Sequence, residues 1–175
     1  MSESGSSPEV RLEGWVSAGA LERVAREWRR AARRVVFTNG CFDLLHPGHL
    51  ALLEEAAGIG DLLLVAINDD ASVGRLKGPG RPIYPAAERV ELLLALRWVD
   101  AVTVFAEDTP LETIQKVRPD ILVKGSEYGD GEIVGEPFVL GYGGEVRRFP
   151  MKPGYATSSV VRRIAERTDD DPGTQ

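Results

Sequence analysis

Leu62-Leu63-Leu64-Val65-Ala66-Ile67 is an unbroken apolar run of strand length. Successive side chains of a strand point to opposite faces, so a run without a polar member is dry on both sides. Such a strand belongs in a parallel sheet covered by helices on each face. Outward from this run, Arg34–Thr38, Ala101–Phe105, Ile121–Lys124 and Glu145–Phe149 also read as strands. Between and after them, Pro47–Ala57, Ala86–Leu96, Pro110–Val117 and Thr157–Arg167 read as helices. The alternation predicts an α/β fold: a doubly wound, Rossmann-like, mostly parallel five-stranded sheet with helices on both faces and one core. Ligands of such sheets bind at the carboxyl ends of the strands, near the point where strand order reverses. The residues that follow each strand are therefore the ones to search for chemistry.

The flanks are plainer. At 175 residues the chain has the length of one domain with a real core. Residues 1–10 are rich in Ser, Gly, Glu and Pro and are expected to be disordered, as is the acidic tail 168–175 with Asp169-Asp170-Asp171. Residues 11–33 form an N-terminal amphipathic helix region, with Leu21, Val24, Ala25 and Trp28 at helical spacing and arginines on the wet face. The main domain spans 34–167. No apolar run approaches the ~20 residues of a membrane span. The first residues lack the basic and apolar regions of a secretory signal. Cys41 is the only cysteine, so no intrachain disulfide forms. These readings predict a cytoplasmic protein with no membrane partner. The net charge of −6 opposes non-specific nucleic-acid binding, which needs a basic footprint.

The first strand runs into Thr38-Asn39-Gly40-Cys41-Phe42-Asp43-Leu44-Leu45-His46-Pro47-Gly48-His49. Both histidines of the protein stand here, three positions apart, where a strand gives way to a helix. Pro47 suits the first helical turn, whose N–H groups have no partner inside the helix. Gly48 leaves room for a ligand to approach the backbone. A helix start with two imidazoles on one side suits the α-phosphate of a nucleoside triphosphate, and can stabilise charge as pyrophosphate leaves. The cluster Cys41, His46, His49 lacks a fourth ligand to close a structural zinc site, so no metal ligands are assigned. Cys41 has no further histidine to act as its base and reads as a small buried side chain.

Residues 39–49 resemble the H-x-G-H signature of the cytidylyltransferase-like nucleotidyltransferase superfamily. The wording Thr38–Asp43 is similar to the adenylyltransferases of ADP-heptose synthesis. Further segments resemble that family in the same order: residues 66–72, Arg75-Leu76-Lys77-Gly78, Arg81-Pro82-Ile83, Glu107-Asp108-Thr109-Pro110 and Leu122-Val123-Lys124-Gly125. The resemblance covers about Arg33 to Arg167. It implies transfer of AMP from ATP, with Mg²⁺, to D-glycero-β-D-manno-heptose 1-phosphate, giving ADP-heptose and pyrophosphate. It implies His46, His49 and Lys77 as catalytic residues. Thr38, Asn39, Gly40, Phe42, His46, Gly48, His49, Lys124, Thr157 and Ser158 would bind the nucleotide. Asp43, Asp70, Arg75, Arg89 and Lys124 would bind the sugar phosphate. A homo-oligomer and a separate sugar kinase upstream are implied as well.

Plainer readings stand beside these. Arg75, Lys77 and Arg81 around Gly78-Pro79-Gly80 read as a flexible exposed loop. Arg89 reads as a surface arginine paired with Glu88 or Glu91, and Asp43 and Asp70 as turn formers or caps. Ala156 stands where the family has the first Ser of its S-T-T helix start. The segment Leu96-Arg97-Trp98-Val99-Asp100-Ala101-Val102 is closer to the R-Y-V-D of cytidylyltransferases. That leaves two alternatives: a cytidylyltransferase acting on glycerol 3-phosphate or a phospho-amino-alcohol, and a nucleotide-binding module without turnover.

Overall fold

A computed structural model of the chain describes residues 14–126, 132–150, 154–155, 157 and 159–163. The strands are β1 (Val35–Gly40), β2 (Leu62–Asn68), β3 (Ala101–Phe105), β4 (Ile121–Gly125) and β5 (Glu145–Phe149). The helices are α1 (Leu21–Arg30), α2 (Pro47–Ala57), α3 (Asp70–Lys77), α4 (Ala86–Leu94), α5 (Leu111–Val117) and α6 (Glu136–Gly141). The strands lie in the order β3-β2-β1-β4-β5, and every pairing between them is parallel. The chain winds outward from β1 through β2 to β3, then returns to build β4 and β5 on the other side. The order reverses between β1 and β4, so the crevice expected of this topology opens at their carboxyl ends.

The run that predicted the sheet behaves as its period demands. Leu62, Leu64 and Ala66 join Val35, Phe37 and Leu122 in a core on one face, closed by Leu21 of α1, Ile114 and Val117 of α5 and Val139 of α6. Leu63, Val65 and Ile67 join Val36 and Val123 on the other face, closed by Leu52, Leu53 and Ala56 of α2 and Val90 and Leu93 of α4. Each such side chain, removed wholly from water, contributes about 1.5–3 kcal/mol. The N-terminal helix is thus part of the same core. No helix among the described residues is long and apolar enough to cross a membrane.

Two helices escaped the sequence reading. The stretch taken as a flexible loop holds α3, whose last turn carries Arg75 and Lys77. Its punctuation is local: the Asp69 carboxylate accepts the Ser72 N–H at 2.7 Å, and Gly78 closes the helix at φ +91°. α6 begins after Gly135 at φ +87°, where a Cβ would stand 2.7 Å from Ile114 Cδ1. Both helices are too short for an apolar period to build up. The expectations for residues 1–10 and 168–175, for Ser158 and for the end of the 157–167 helix lie outside the described residues.

Candidate active site

β1 ends at Gly40, and the chain turns through Cys41–Leu45 into α2. Phe42 takes φ +46°, a left-handed conformation that costs a non-glycine residue energy, and its ring packs on His49 at 4.9 Å. Asp43 is 2% exposed. Its carboxylate accepts from Arg81 Nε at 2.5 Å and from the backbone N–H groups of Ile83 and Tyr84 at 2.7 and 3.1 Å. All three donors are spent on seating the 81–84 segment over the turn.

His46 is the N-cap of α2, and its Nδ1 accepts the His49 N–H at 3.3 Å. The two imidazoles stack, centroids 3.7 Å apart and planes 15° off parallel. Gly48 makes this possible: a Cβ there would stand 3.1 Å from His46 Cε1 and Nδ1, and 3.4 Å from the Tyr155 Cβ. Tyr155 therefore reaches the head of α2, and Thr157 is helical. Burial, and then the neighbouring His46, push the His49 pKa down to about 4, against the Leu44 carbonyl that favours the charged form. Burial lowers the His46 pKa as well. Both rings are neutral at pH 7.

Beneath the turn lies Arg89, on α4 and fully buried. The expected surface arginine is overturned. The guanidinium donates to the carbonyls of Cys41 (2.7 Å), Asn68 (2.9 Å) and Tyr84 (2.9 Å), and to Asp70 Oδ1 (2.7 Å). One cation thus ties the carboxyl ends of β1 and β2 to the 81–84 segment. Burying an arginine is tolerable because four of its five N–H groups meet acceptors.

Next to the turn, at the carboxyl ends of the strands, opens a cavity of about 320 Å³. Its floor is Asn39 and Gly40 from β1, Cys41 just after it and Asn68 from β2. Lys77 from the end of α3 and Lys124 from β4 line it, and Lys124 Nζ donates to the Asn39 carbonyl at 2.9 Å. Asp108, Glu132, Ile133 and Val134 complete its rim. Asn39 Oδ1 and His49 Nδ1 are buried without a partner among the described residues, an unusual condition that points toward ligand groups. Burial is the main cause that pushes the Cys41 thiol up, so Cys41 is no ready nucleophile.

The structure therefore gathers Asn39, Gly40, Lys77 and Lys124 at one cavity, with Phe42, His46, Gly48 and His49 on the adjoining turn. It separates others from that cavity. Thr38 is buried in the sheet with its hydroxyl donated to the Val123 carbonyl at 3.1 Å. Arg75 grips Asp108 and the Ala106 carbonyl, Asp70 pairs with Arg89, and Asp43 serves the 81–84 segment. Sequence reasoning singled out neither Asn68 nor Asp108. Each closes a strand or follows one, the positional signal by which the sequence could have found them.

Residues 37–137 match the family model described as cytidylyltransferase-like. The chain is 51% identical over 140 residues to the bifunctional protein HldE of Gluconobacter oxydans, covering 80% of this chain and 29% of that protein. To the HldE of Koribacter versatilis it is 52% identical over 143 residues, covering 82% and 29%. To that of Ectopseudomonas mendocina it is 46% identical over 168 residues, covering 91% and 36%. The chain thus spans about a third of the length of the curated relatives it matches. The crystal structure of the lipopolysaccharide core biosynthesis protein from Thermoplasma volcanium superposes with a TM-score of 0.58 at 28% identity, covering 69% of this chain and 99% of that one. The family model runs from β1 into α6 and takes in every strand that frames the turn and the cavity; the chain belongs to the cytidylyltransferase-like family.

Proposed function

We propose that the chain transfers AMP from ATP to D-glycero-β-D-manno-heptose 1-phosphate, giving ADP-heptose and pyrophosphate. One observation carries this reading: a helix start bearing two neutral, stacked imidazoles adjoins a cavity with lysines on two walls. The identity of about half the aligned residues to HldE proteins supports this donor and acceptor over others in the family.

An oxygen of the acceptor phosphate attacks the α-phosphorus of ATP. A new P–O bond forms, the bond to the β-phosphate oxygen breaks, and its electron pair leaves on pyrophosphate. Such a step needs positioning and charge stabilisation, not a protein nucleophile. Because His46 Nδ1 receives the His49 N–H, the neutral His46 ring carries its proton on Nε2, ready to donate to a phosphoryl oxygen. The first-turn N–H groups of α2 add their partial positive charge. Lys77, on the exposed end of α3, follows the charge onto departing pyrophosphate. Lys124 meets phosphate inside the cavity, which takes the acceptor. Thr157 and Ser158 hold the far phosphates. No group of three His, Cys, Asp or Glu side chains among the described residues would hold a metal ion. Mg²⁺ brought with ATP would offset the negative charge of the triphosphate.

The segment that resembles cytidylyltransferases lies away from this chemistry. Asp100 accepts the Leu63 N–H at 2.8 Å, at the amino end of the sheet, and Arg97 lies over Trp98. It therefore gives no support to CTP. A separate sugar kinase would supply the 1-phosphate. The test is pyrophosphate release with ATP, CTP and GTP against heptose 1-phosphate and glycerol 3-phosphate. Release with ATP and the heptose is expected. Release only with CTP and glycerol 3-phosphate would make the chain a cytidylyltransferase, and none with any pair would make it a binding module.

A further inference from the structure

We propose that Asp108 reads the hydroxyl groups of the acceptor and that Arg75 holds it in position, an inference that rests on the cavity being the acceptor site. Asp108 follows β3 and lines the cavity. Everything that binds its carboxylate binds one oxygen. Oδ1 accepts from Arg75 Nε at 2.8 Å, stands 2.6 Å from Arg75 Nη2 in the same ion pair, and lies 3.4 Å from the Ser72 hydroxyl oxygen. Oδ2 receives no hydrogen bond from the described residues.

The support is itself anchored. Arg75 Nη2 also donates to the Ala106 carbonyl at 2.8 Å. The Ser72 hydroxyl donates to the Glu107 carbonyl at 3.1 Å and receives Asn68 Nδ2 at 3.0 Å. The end of β2, α3 and the segment after β3 are thereby locked together behind the carboxylate. The Arg75 hydrogen bond holds the Asp108 carboxyl below the usual carboxylate range, so it stays ionised and can only accept.

An acceptor-only oxygen selects donors. A phosphate offers none at neutral pH and is repelled by the charge, so it goes to Lys124. A sugar offers hydroxyls. Asn39 Oδ1, buried and unpartnered on the floor, is a second oxygen of the same kind. The cavity thus divides its labour: Lys124 for the phosphate, the Asn39 and Asp108 oxygens for the polyol. Sites built to bond a substrate hydroxyl discriminate strongly against analogues without it.

The experiment compares wild type, Asp108→Ala, Asp108→Asn and Arg75→Gln under steady-state turnover, varying acceptor and nucleotide separately. Asp108→Ala is expected to lower the acceptor kcat/KM about 10- to 100-fold, the value of a hydrogen bond to a charged group, and to leave the nucleotide KM unchanged. Arg75→Gln is expected to fall between Asp108→Ala and wild type, as a positioning residue should. An acceptor kcat/KM unchanged in Asp108→Ala overturns the proposal. So does a nucleotide KM that rises in step, because the carboxylate would then face the base or ribose. If Asp108→Ala fails to fold, the isosteric Asp108→Asn is judged by the same two criteria. If wild type prefers glycerol 3-phosphate, the functional reading falls, and the variants are judged on that acceptor. If no pair turns over, equal calorimetric affinities of wild type and Asp108→Ala for heptose 1-phosphate overturn the proposal.

Discussion

Replacing His49 with Gln should change how the fold responds to acid more than any other single substitution at the turn. His49 has a pKa of about 4 in the folded protein against an ordinary 6.5, because burial and His46 disfavour its charged form. Between those values the unfolded chain binds a proton that the folded chain refuses. Stability from this group is complete above pH 6.5 and is lost as the pH falls toward 4. From pH 7 to pH 4.5 the linkage amounts to about 2.5 kcal/mol. For a chain of this size that is roughly 5–10 °C in Tm. His46 stays in both proteins, so the difference between them isolates His49 together with its coupling to His46. Urea titrations at pH 7 and pH 4.5 measure it: wild type should lose about 2 kcal/mol more than His49→Gln. Parallel pH dependence in the two proteins would refute the argument, and with it the neutral, stacked pair used in the mechanism.

His46→Ala should lower kcat by about 10²–10³-fold, the usual loss for a donor aimed at developing charge, while the lost N-cap lowers Tm by only about 2–8 °C. Gly48→Ala should lower kcat with little change in unfolding free energy, since the atoms nearest the new methyl belong to the side chains of His46 and Tyr155 and not to the backbone; pyrophosphate release reads the first and urea titration the second. Arg89→Met should cost about 3–5 kcal/mol in urea unfolding, because three carbonyls lose their donor within the core. Asp70→Asn should cost less than about 1 kcal/mol, its side chain being 49% exposed and those three bonds surviving. Cys41→Ala should keep turnover, and the wild-type thiol should react slowly with iodoacetamide at pH 7.5, as its raised pKa requires.

The sheet was legible because its strands are dry on both faces: Leu62–Ile67 announced a parallel interior before any contact was known. The histidine turn was legible because a strand, a helix start and both imidazoles fall within a dozen residues. Other features depend on distance in the chain. Arg89 sits among apolar residues of an amphipathic helix, and its neighbours Glu88 and Glu91 invite a surface pairing. Its true acceptors are 48 and 21 residues away at Cys41 and Asn68, and nothing local names them. The partners of Asp43 were hidden for the same reason, since Arg81, Ile83 and Tyr84 come within reach only after α3 turns the chain back. α3 itself was hidden by Gly78-Pro79-Gly80, which marks its end and not a loop through it.

The shared cation at Arg89 also bears on how such enzymes can be recombined. Cys41, the Asn68–Asp70 stretch and Tyr84 belong to three separate segments, yet one side chain is the common donor to all of them. A chimera that exchanges the histidine turn alone would bring a foreign backbone onto a guanidinium shaped for the old one. The smallest cassette that transplants cleanly runs from Gly40 to Arg89, so that donor and acceptors travel as one module.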